Sequence, residues 1–438
     1  MRFKVMTMIS QSRARVTGML TLICAMGLLS GCSPVMMQPL FPKLRGDRAF
    51  IKYWPPPKED TELRVAVKDN IDMQGVVTTA GSKYFARNAK PAAQDAACLA
   101  PVRARGATIV GKTNLNELAL GVSGMNAYFG TPRNHLNDEK RLMPGGSSSG
   151  SAVAVASGRA DVAIATDTAG SIRTPAACNG VFGLKTTYGL IPLKGVYPIS
   201  PRHLDTVGPI ARDVPTLVEG MDLLKPGFTG KYMQAMAAQP TGRSIRVGRL
   251  YVEGTDRQID EAVDRALRAA GFTVVRLGPD FEAAWKDAMS HGNTIAVVDG
   301  YEVDKELMGT RGISTTTKAA IVLGNLQHDS HRYDEALAGK AAWQRQLRRV
   351  FQKVDFIALP TLKGNPLTVP LVGQFILFEA RALAMQNTVA VNYAGVPAVA
   401  VPVPMDDKKV PLTSVQLVGP NLSEAKLLNA ARILASKR

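Results

Sequence analysis

From Leu63 to the end of the chain, short runs rich in Val, Ile and Ala alternate with segments of helical pattern. LRVAVK (63–68), ATIV (107–110), VAIAT (162–166), SIRVGRL (244–250), FTVVRL (272–277), DFIALP (355–360), GVPAVAVPVP (395–404) and TSVQLVG (413–419) read as strands. Helical segments lie between them, at 92–106, 114–121, 148–158, 171–180, about 256–270, about 332–353 and 423–437. Asn114 is the expected cap of the second of these, and Thr255 or Asp256 that of the fifth. Strands this apolar need cover on two sides. The alternation therefore predicts an α/β fold with a large mixed, mostly parallel β-sheet covered by helices on both faces. A shift at Pro226-Gly227 and the strand–helix–strand block after it predict an inserted smaller α/β lobe over about 226–355, with 356–438 returning to the sheet.

The first residues have a different character. Arg2, Lys4, Arg13 and Arg15 precede an apolar run, VTGMLTLICAMGLL (16–29). The run is shorter than the roughly 20 residues a bilayer span needs, and its length and flanks are those of an export signal. The sequence Leu29-Ser30-Gly31-Cys32 resembles the bacterial lipoprotein box. That resemblance implies a signal over 1–32, lipidation at Cys32, and an exported protein anchored by lipid and facing the periplasm or cell exterior. The Pro-rich residues 33–60 read as a linker and 61–438 as the main domain. Cys98 and Cys178 remain, both among small apolar residues, and are expected to be buried thiols. The net charge is +17, but no basic block carries interleaved aromatics, so nucleic acid is not an expected partner.

GATIVGKT (106–113) matches the phosphate-loop pattern letter by letter. That motif needs a flexible loop between its glycines, whereas Ala-Thr-Ile-Val is a β-forming run. A rigid strand cannot wrap its amides around phosphates, and Lys112 reads as a structural lysine at a strand end. HDSH (328–331) has no third ligand at helical spacing and reads as a polar loop, so no metal is expected.

Two serine-bearing loops open helices: PGGSSSGS (144–151) and DTAGS (167–171). An intervening strand can bring both to one end of the sheet, where open α/β sheets place their sites. A serine nucleophile needs an adjacent base, and a lysine serves when burial makes it neutral. Lys68, ending an otherwise apolar strand, is the candidate; an exposed ammonium or a partner of Asp69 or Asp72 is the alternative.

LRVAVKDNID, GATIVGKTNLNELALG, MPGGSSSGSAVAVASG, ATDTAGSIRTPAACNGVFGLKTTYGLIP and DTVGPIARDV, in this order, resemble the amidase signature family, most densely through 63–215. The resemblance implies a serine hydrolase on a mixed sheet, acting on a small-molecule or peptide amide without a cofactor. Matched motif by motif, Ser171 looks like the nucleophile, Ser147 like the bridging serine after a cis peptide from Gly146, and Lys68 like the base. The amides of Thr168, Ala169, Gly170 and Ser171 would form the oxyanion hole. Ser148 would bond within the loop, and Asp167 and Arg173 would brace it as ions. Ser149 and Ser151 read as helix caps. The family often has Gly-Gly where this chain has Ala169-Gly170, and proline where it has His135. Residues 362–378 are expected to contribute to the acyl or leaving-group pocket. The expected activity is amide hydrolysis; the alternatives are a non-catalytic binding protein on the same fold and an amidotransferase A-like subunit.

Overall fold

The structure is a computed structural model and describes residues 46–436 except 57–61, 138, 329–330, 372 and 374. The expected signal with Cys32, and linker residues 33–45 and 57–60, lie outside the described residues.

Among the described residues eleven strands form one sheet. They are β1 (Phe50–Tyr53), β2 (Arg64–Lys68), β3 (Thr108–Thr113), β4 (Val162–Asp167), β5 (Phe182–Lys185), β6 (Thr206–Ala211), β7 (Arg246–Arg249), β8 (Thr273–Arg276), β9 (Phe356–Pro360), β10 (Ala398–Pro404) and β11 (Leu412–Val418). Their order across the sheet is β1-β3-β2-β4-β6-β5-β10-β11-β9-β7-β8. The helices are α1 (Lys83–Asn88), α2 (Ala100–Ala104), α3 (Ser149–Ala156), α4 (Arg173–Asn179), α5 (Val214–Leu224), α6 (Phe228–Ala238) and α7 (Arg257–Ala269). They continue with α8 (Pro279–Asp304), α9 (Thr315–His328), α10 (His331–Phe351), α11 (Phe375–Ala384), α12 (Val389–Ala394) and α13 (Glu424–Ala435).

The pleat sends successive side chains to opposite faces. Val65, Val67, Val162 and Ile164 enter a core shared with α5, α6 and α13. Their neighbours Ala66, Ala163 and Ala165 pack with Ala152 to Val155 of α3 and with Ala176 of α4. Helices thus cover both faces, and small residues on the second face let α3 and α4 sit close to the strands that carry the site.

The sheet is mixed, with a smaller parallel share than the strand–helix alternation implies. β2–β3, β2–β4, β7–β8 and β7–β9 are parallel. The other six ladders are antiparallel. Residues 405–411 joining β10 to β11 are too few for a parallel crossover, which takes about a dozen residues. β5 and β6 carry Gly and Pro and lack the usual strand pattern.

Three further expectations change. The block β7–α7–β8 extends the same sheet beyond β9 instead of building a separate lobe. Part of the expected linker is strand β1, an edge strand paired antiparallel to β3. The expected helix at 114–121 is only a 3-10 turn, Glu117–Ala119, with Leu118 and Ala119 left-handed at φ 56° and 58°. Two amides of the 114–121 segment bond to other segments: Asn116 N–H donates to Ser147 O, and Leu118 N–H to Ala80 O. Tertiary partners have replaced the helical ladder there. Asp256 caps α7, accepting from the Gln258 N–H.

Candidate active site

β2 and β4 run parallel and adjacent, so their C-terminal ends lie side by side. β2 delivers Lys68 there, and β4 delivers Thr166 and Asp167. Lys68 is fully buried, and its Nζ lies 2.7 Å from Ser147 Oγ and 2.7 Å from Thr166 Oγ1. Burial lowers the Lys68 ammonium to about 7, against the opposing pull of the Asp167 and Asp205 carboxylates. An amine at that value is half neutral near pH 7.

Ser147 sits in a loop held from several sides. The Gly146–Ser147 peptide is cis. Gly145 N–H donates to Ser123 O and Gly146 N–H to Val122 O. A side chain on Gly146 would place its Cβ 1.9 Å from Asn116 Oδ1, so only glycine fits. Ser148 joins the two serine loops: its N–H donates to Ser171 O at 3.2 Å and its Oγ to Thr166 O at 3.3 Å. Ser171 stands just before α4 and is 7% exposed, whereas Ser147 and Lys68 are 0% exposed. Of the three, only Ser171 is reached by solvent.

Asp167 ties down the loop that carries Ser171. It accepts from the amides of Gly170 at 2.9 Å and Ile172 at 3.0 Å, and forms a buried ion pair with Arg173 at 2.9 Å. Burial alone would raise this carboxyl, but the Arg173 guanidinium, the Lys185 ammonium and the Asn392 amide together outweigh it and hold the group well below the usual carboxylate range. Arg173 also donates to Thr388 O at 2.9 Å and reaches the side chains of Asn392 and Gln416. Thr168 Oγ1 donates to Asp205 Oδ1 at 2.7 Å.

The sequence-predicted residues therefore fall together: Lys68, Ser147, Ser148, Ser171, Asp167 and Arg173 occupy one end of the sheet. Two expectations change. The Gly170 amide is already donated to Asp167, while those of Thr168, Ala169 and Ser171 find no acceptor among the described residues. Ala169 has no positive φ, so its methyl sits on ordinary backbone. Ser149 and Ser151 are not caps. Ser151 Oγ bonds to Thr113 Oγ1 at 2.7 Å, and Ser149 Oγ is buried without a partner. Ser148 holds the cap position of α3 without a side-chain cap bond.

Residues that sequence reasoning missed are Thr166, Asn70, Asp205, Thr388, Asn392 and Gln416. Thr166 stands within the ATDTAGS stretch and could have been found as the strand-end hydroxyl facing Lys68. Asn70 donates to the same Thr166 Oγ1 at 3.1 Å. Thr388, Asn392 and Gln416 lie more than two hundred residues from Arg173, and no local pattern marks them.

The phosphate-loop look-alike forms β3. Its Lys112 is buried, ion-paired to Asp69 Oδ1 at 3.2 Å and bonded to Ile71 O. It pins the residue next to Lys68 and has no amide cradle around it. Cys98 and Cys178 are buried free thiols; burial pushes Cys98 up to about 12 and raises Cys178 further. His328 ends α9 and His331 begins α10.

Comparison with known proteins decides the family. The amidase model matches residues 63–428. The chain belongs to the amidase signature family. The amidase is 35% identical over 405 residues to the A subunit of the glutamyl-tRNA(Gln) amidotransferase of Halobacterium salinarum, covering 84% of this chain and 93% of that protein. It is 31% identical over 398 residues to a 2-amino-5-chloromuconic acid deaminase of Comamonas testosteroni, covering 84% of this chain and 80% of that one. Among solved structures, 6-aminohexanoate cyclic dimer hydrolase complexed with substrate superposes with a TM-score of 0.71 at 26% identity, covering 86% of this chain and 84% of that one. The amidase is therefore an amide-hydrolysing enzyme.

Proposed function

We propose that this amidase hydrolyses a carboxylic amide through an acyl-enzyme on Ser171, with Ser147 as proton relay and Lys68 as base. The observation that carries the reading is the 2.7 Å contact of Lys68 Nζ with Ser147 Oγ in a site that pulls the lysine to about 7. Neutral Lys68 takes the proton of Ser147 Oγ as Ser147 takes that of Ser171, and Ser171 Oγ bonds to the amide carbon. A hydroxyl donates and accepts at once, so Ser147 can pass the proton in either direction. The free amides of Thr168, Ala169 and Ser171 receive the oxyanion, each worth roughly 3–4 kcal/mol in comparable sites. Collapse breaks the C–N bond, and the leaving nitrogen departs as ammonia or amine with the proton returned through Ser147. Water then takes the acyl group from Ser171 by the same relay.

A second reading has an observation behind it: the relatives at 30–35% identity include the A subunits of amidotransferases, whose name implies partner subunits. A panel of primary aliphatic, aryl and peptide amides, assayed for ammonia or amine release by the purified chain alone, separates the two. Turnover of at least one amide without any partner is expected. Turnover only after partner subunits have been supplied would favour the second reading.

We also propose that the enzyme is exported and anchored by lipid at Cys32. The basic stretch, the apolar run 16–29 and the Leu29-Ser30-Gly31-Cys32 box support it. No helix among the described residues is long and apolar enough to cross a membrane. Expressed in a bacterium with a fatty-acid reporter, the chain should incorporate label, and Cys32→Ser should abolish it. Equal labelling of both would refute the proposal.

A further inference from the structure

We propose that Thr388 is a positioning residue of the hydrolysis: its hydroxyl holds the oxyanion loop in its working orientation by clamping the Ala169–Gly170 peptide. The inference rests on the Ser171 reading above. A peptide unit has two polar ends, and here both are held. Thr388 Oγ1 donates to Ala169 O at 2.5 Å, and Gly170 N–H donates to Asp167 Oδ1 at 2.9 Å. The two flanking peptides carry the amides of Ala169 and Ser171, which find no acceptor among the described residues. The clamp thus takes one peptide out of the hole and leaves its neighbours free to donate.

The clamp is needed because Gly170 itself imposes little. Its φ is +135°, and a glycine rotates through such values with almost no steric barrier. Unheld, the central peptide could turn over, and the flanking amides would turn with it. Asp167 holds only the nitrogen end. Thr388 supplies the carbonyl end from a segment more than two hundred residues away.

Thr388 is built for this. It is fully buried at the cap position of α12, and its own carbonyl accepts from Arg173 at 2.9 Å. Its Oγ1 also lies 2.9 Å from Gln386 Oε1, but a hydroxyl has one proton, and the shorter contact to Ala169 O claims it. The fit on the other side is equally close: a Cβ on Gly170 would stand 2.2 Å from Thr388 Oγ1.

The test compares Thr388→Val, which keeps shape and loses the hydroxyl, with Thr388→Ser, which restores it. In Thr388→Val, kcat should fall about 10- to 100-fold with KM little changed, a fraction of what losing an oxyanion donor outright costs. Thr388→Ser should return to within about threefold of wild type. Affinity for a boronic acid that forms a tetrahedral adduct on Ser171 should fall by the same factor as kcat, while affinity for a non-reactive substrate analogue should hold. The pH midpoint should stay in place, because Lys68 is untouched. If Thr388→Val does not fold, Thr388→Cys keeps a weak donor of similar size and should show an intermediate loss.

Wild-type kcat in the valine or cysteine variant would overturn the inference. So would equal losses of boronate and ground-state affinity. Failure of the Ser171 reading looks different: the wild-type enzyme would then form no boronate adduct on that serine at all.

Discussion

Ser171→Ala should leave a folded protein that hydrolyses no amide and takes no label from a fluorophosphonate. The expected loss in kcat is about 10⁴-fold or more, the scale at which removing a nucleophile leaves only binding and the oxyanion hole. The geometry argues for this serine among the several in the two loops. Ser147 is fully buried against Lys68, Ser148 bonds to Thr166 O, and Ser151 bonds to Thr113. Ser171 alone of these reaches solvent, beside the free amides of Ala169 and its own nitrogen. Its Oγ bonds to nothing in the fold among the described residues, so stability should change by less than about 1 kcal/mol. Labelling that persists in Ser171→Ala, read by mass spectrometry of the tagged peptide, would place the nucleophile elsewhere.

The second large effect belongs to Lys68. Lys68→Met fills similar space and removes the amine, and turnover should fall about 10³-fold or more. The pH profile gives the sharper result. Burial lowers this group to about 7, so the amine is neutral above that pH and charged below it. An ammonium cannot take a proton. Wild-type kcat/KM should therefore drop about tenfold per pH unit below about 7 and level off above it. A lysine at its ordinary value would put the rise above about 10 instead. A flat profile from about pH 5 to about pH 9 would remove Lys68 as the base. Lys185 is also drawn down to about 7 by burial, but its Nζ donates to the carbonyls of Thr186 and Val396 and touches neither serine. The limb should therefore be assigned by its loss in residual Lys68→Met activity.

The segment of this site with the most flexible composition is held from several sides. A glycine–serine tract like PGGSSSGS would be a flexible linker in isolation. Here Asn116, Val122 and Ser123 hold its backbone, and Ser148 fastens it to the second serine loop. The same tertiary bonds explain a failed local reading, since the 114–121 segment gives up its helix to serve the Ser147 loop. Propensity is a weak prior, and a few buried hydrogen bonds of about 1 kcal/mol each outweigh it.

Sequence alone determined the alternation of strands and helices, the lysine that ends β2, and the two serine loops, because side-chain periodicity and turn chemistry are local properties of the chain; that this lysine is buried was decided by the fold. It also exposed GATIVGKT as a strand, since β-forming residues cannot make a phosphate-binding loop. Only the tertiary structure decided which strands run antiparallel, where β1 and β8 attach, and which amides remain free. Those outcomes depend on pairings between distant segments. Thr388 reaches Ala169 across 219 residues, and Gln416 meets Arg173 across 243. No window along the chain contains both partners of such a contact, so its energy enters only when the sheet closes and brings them together.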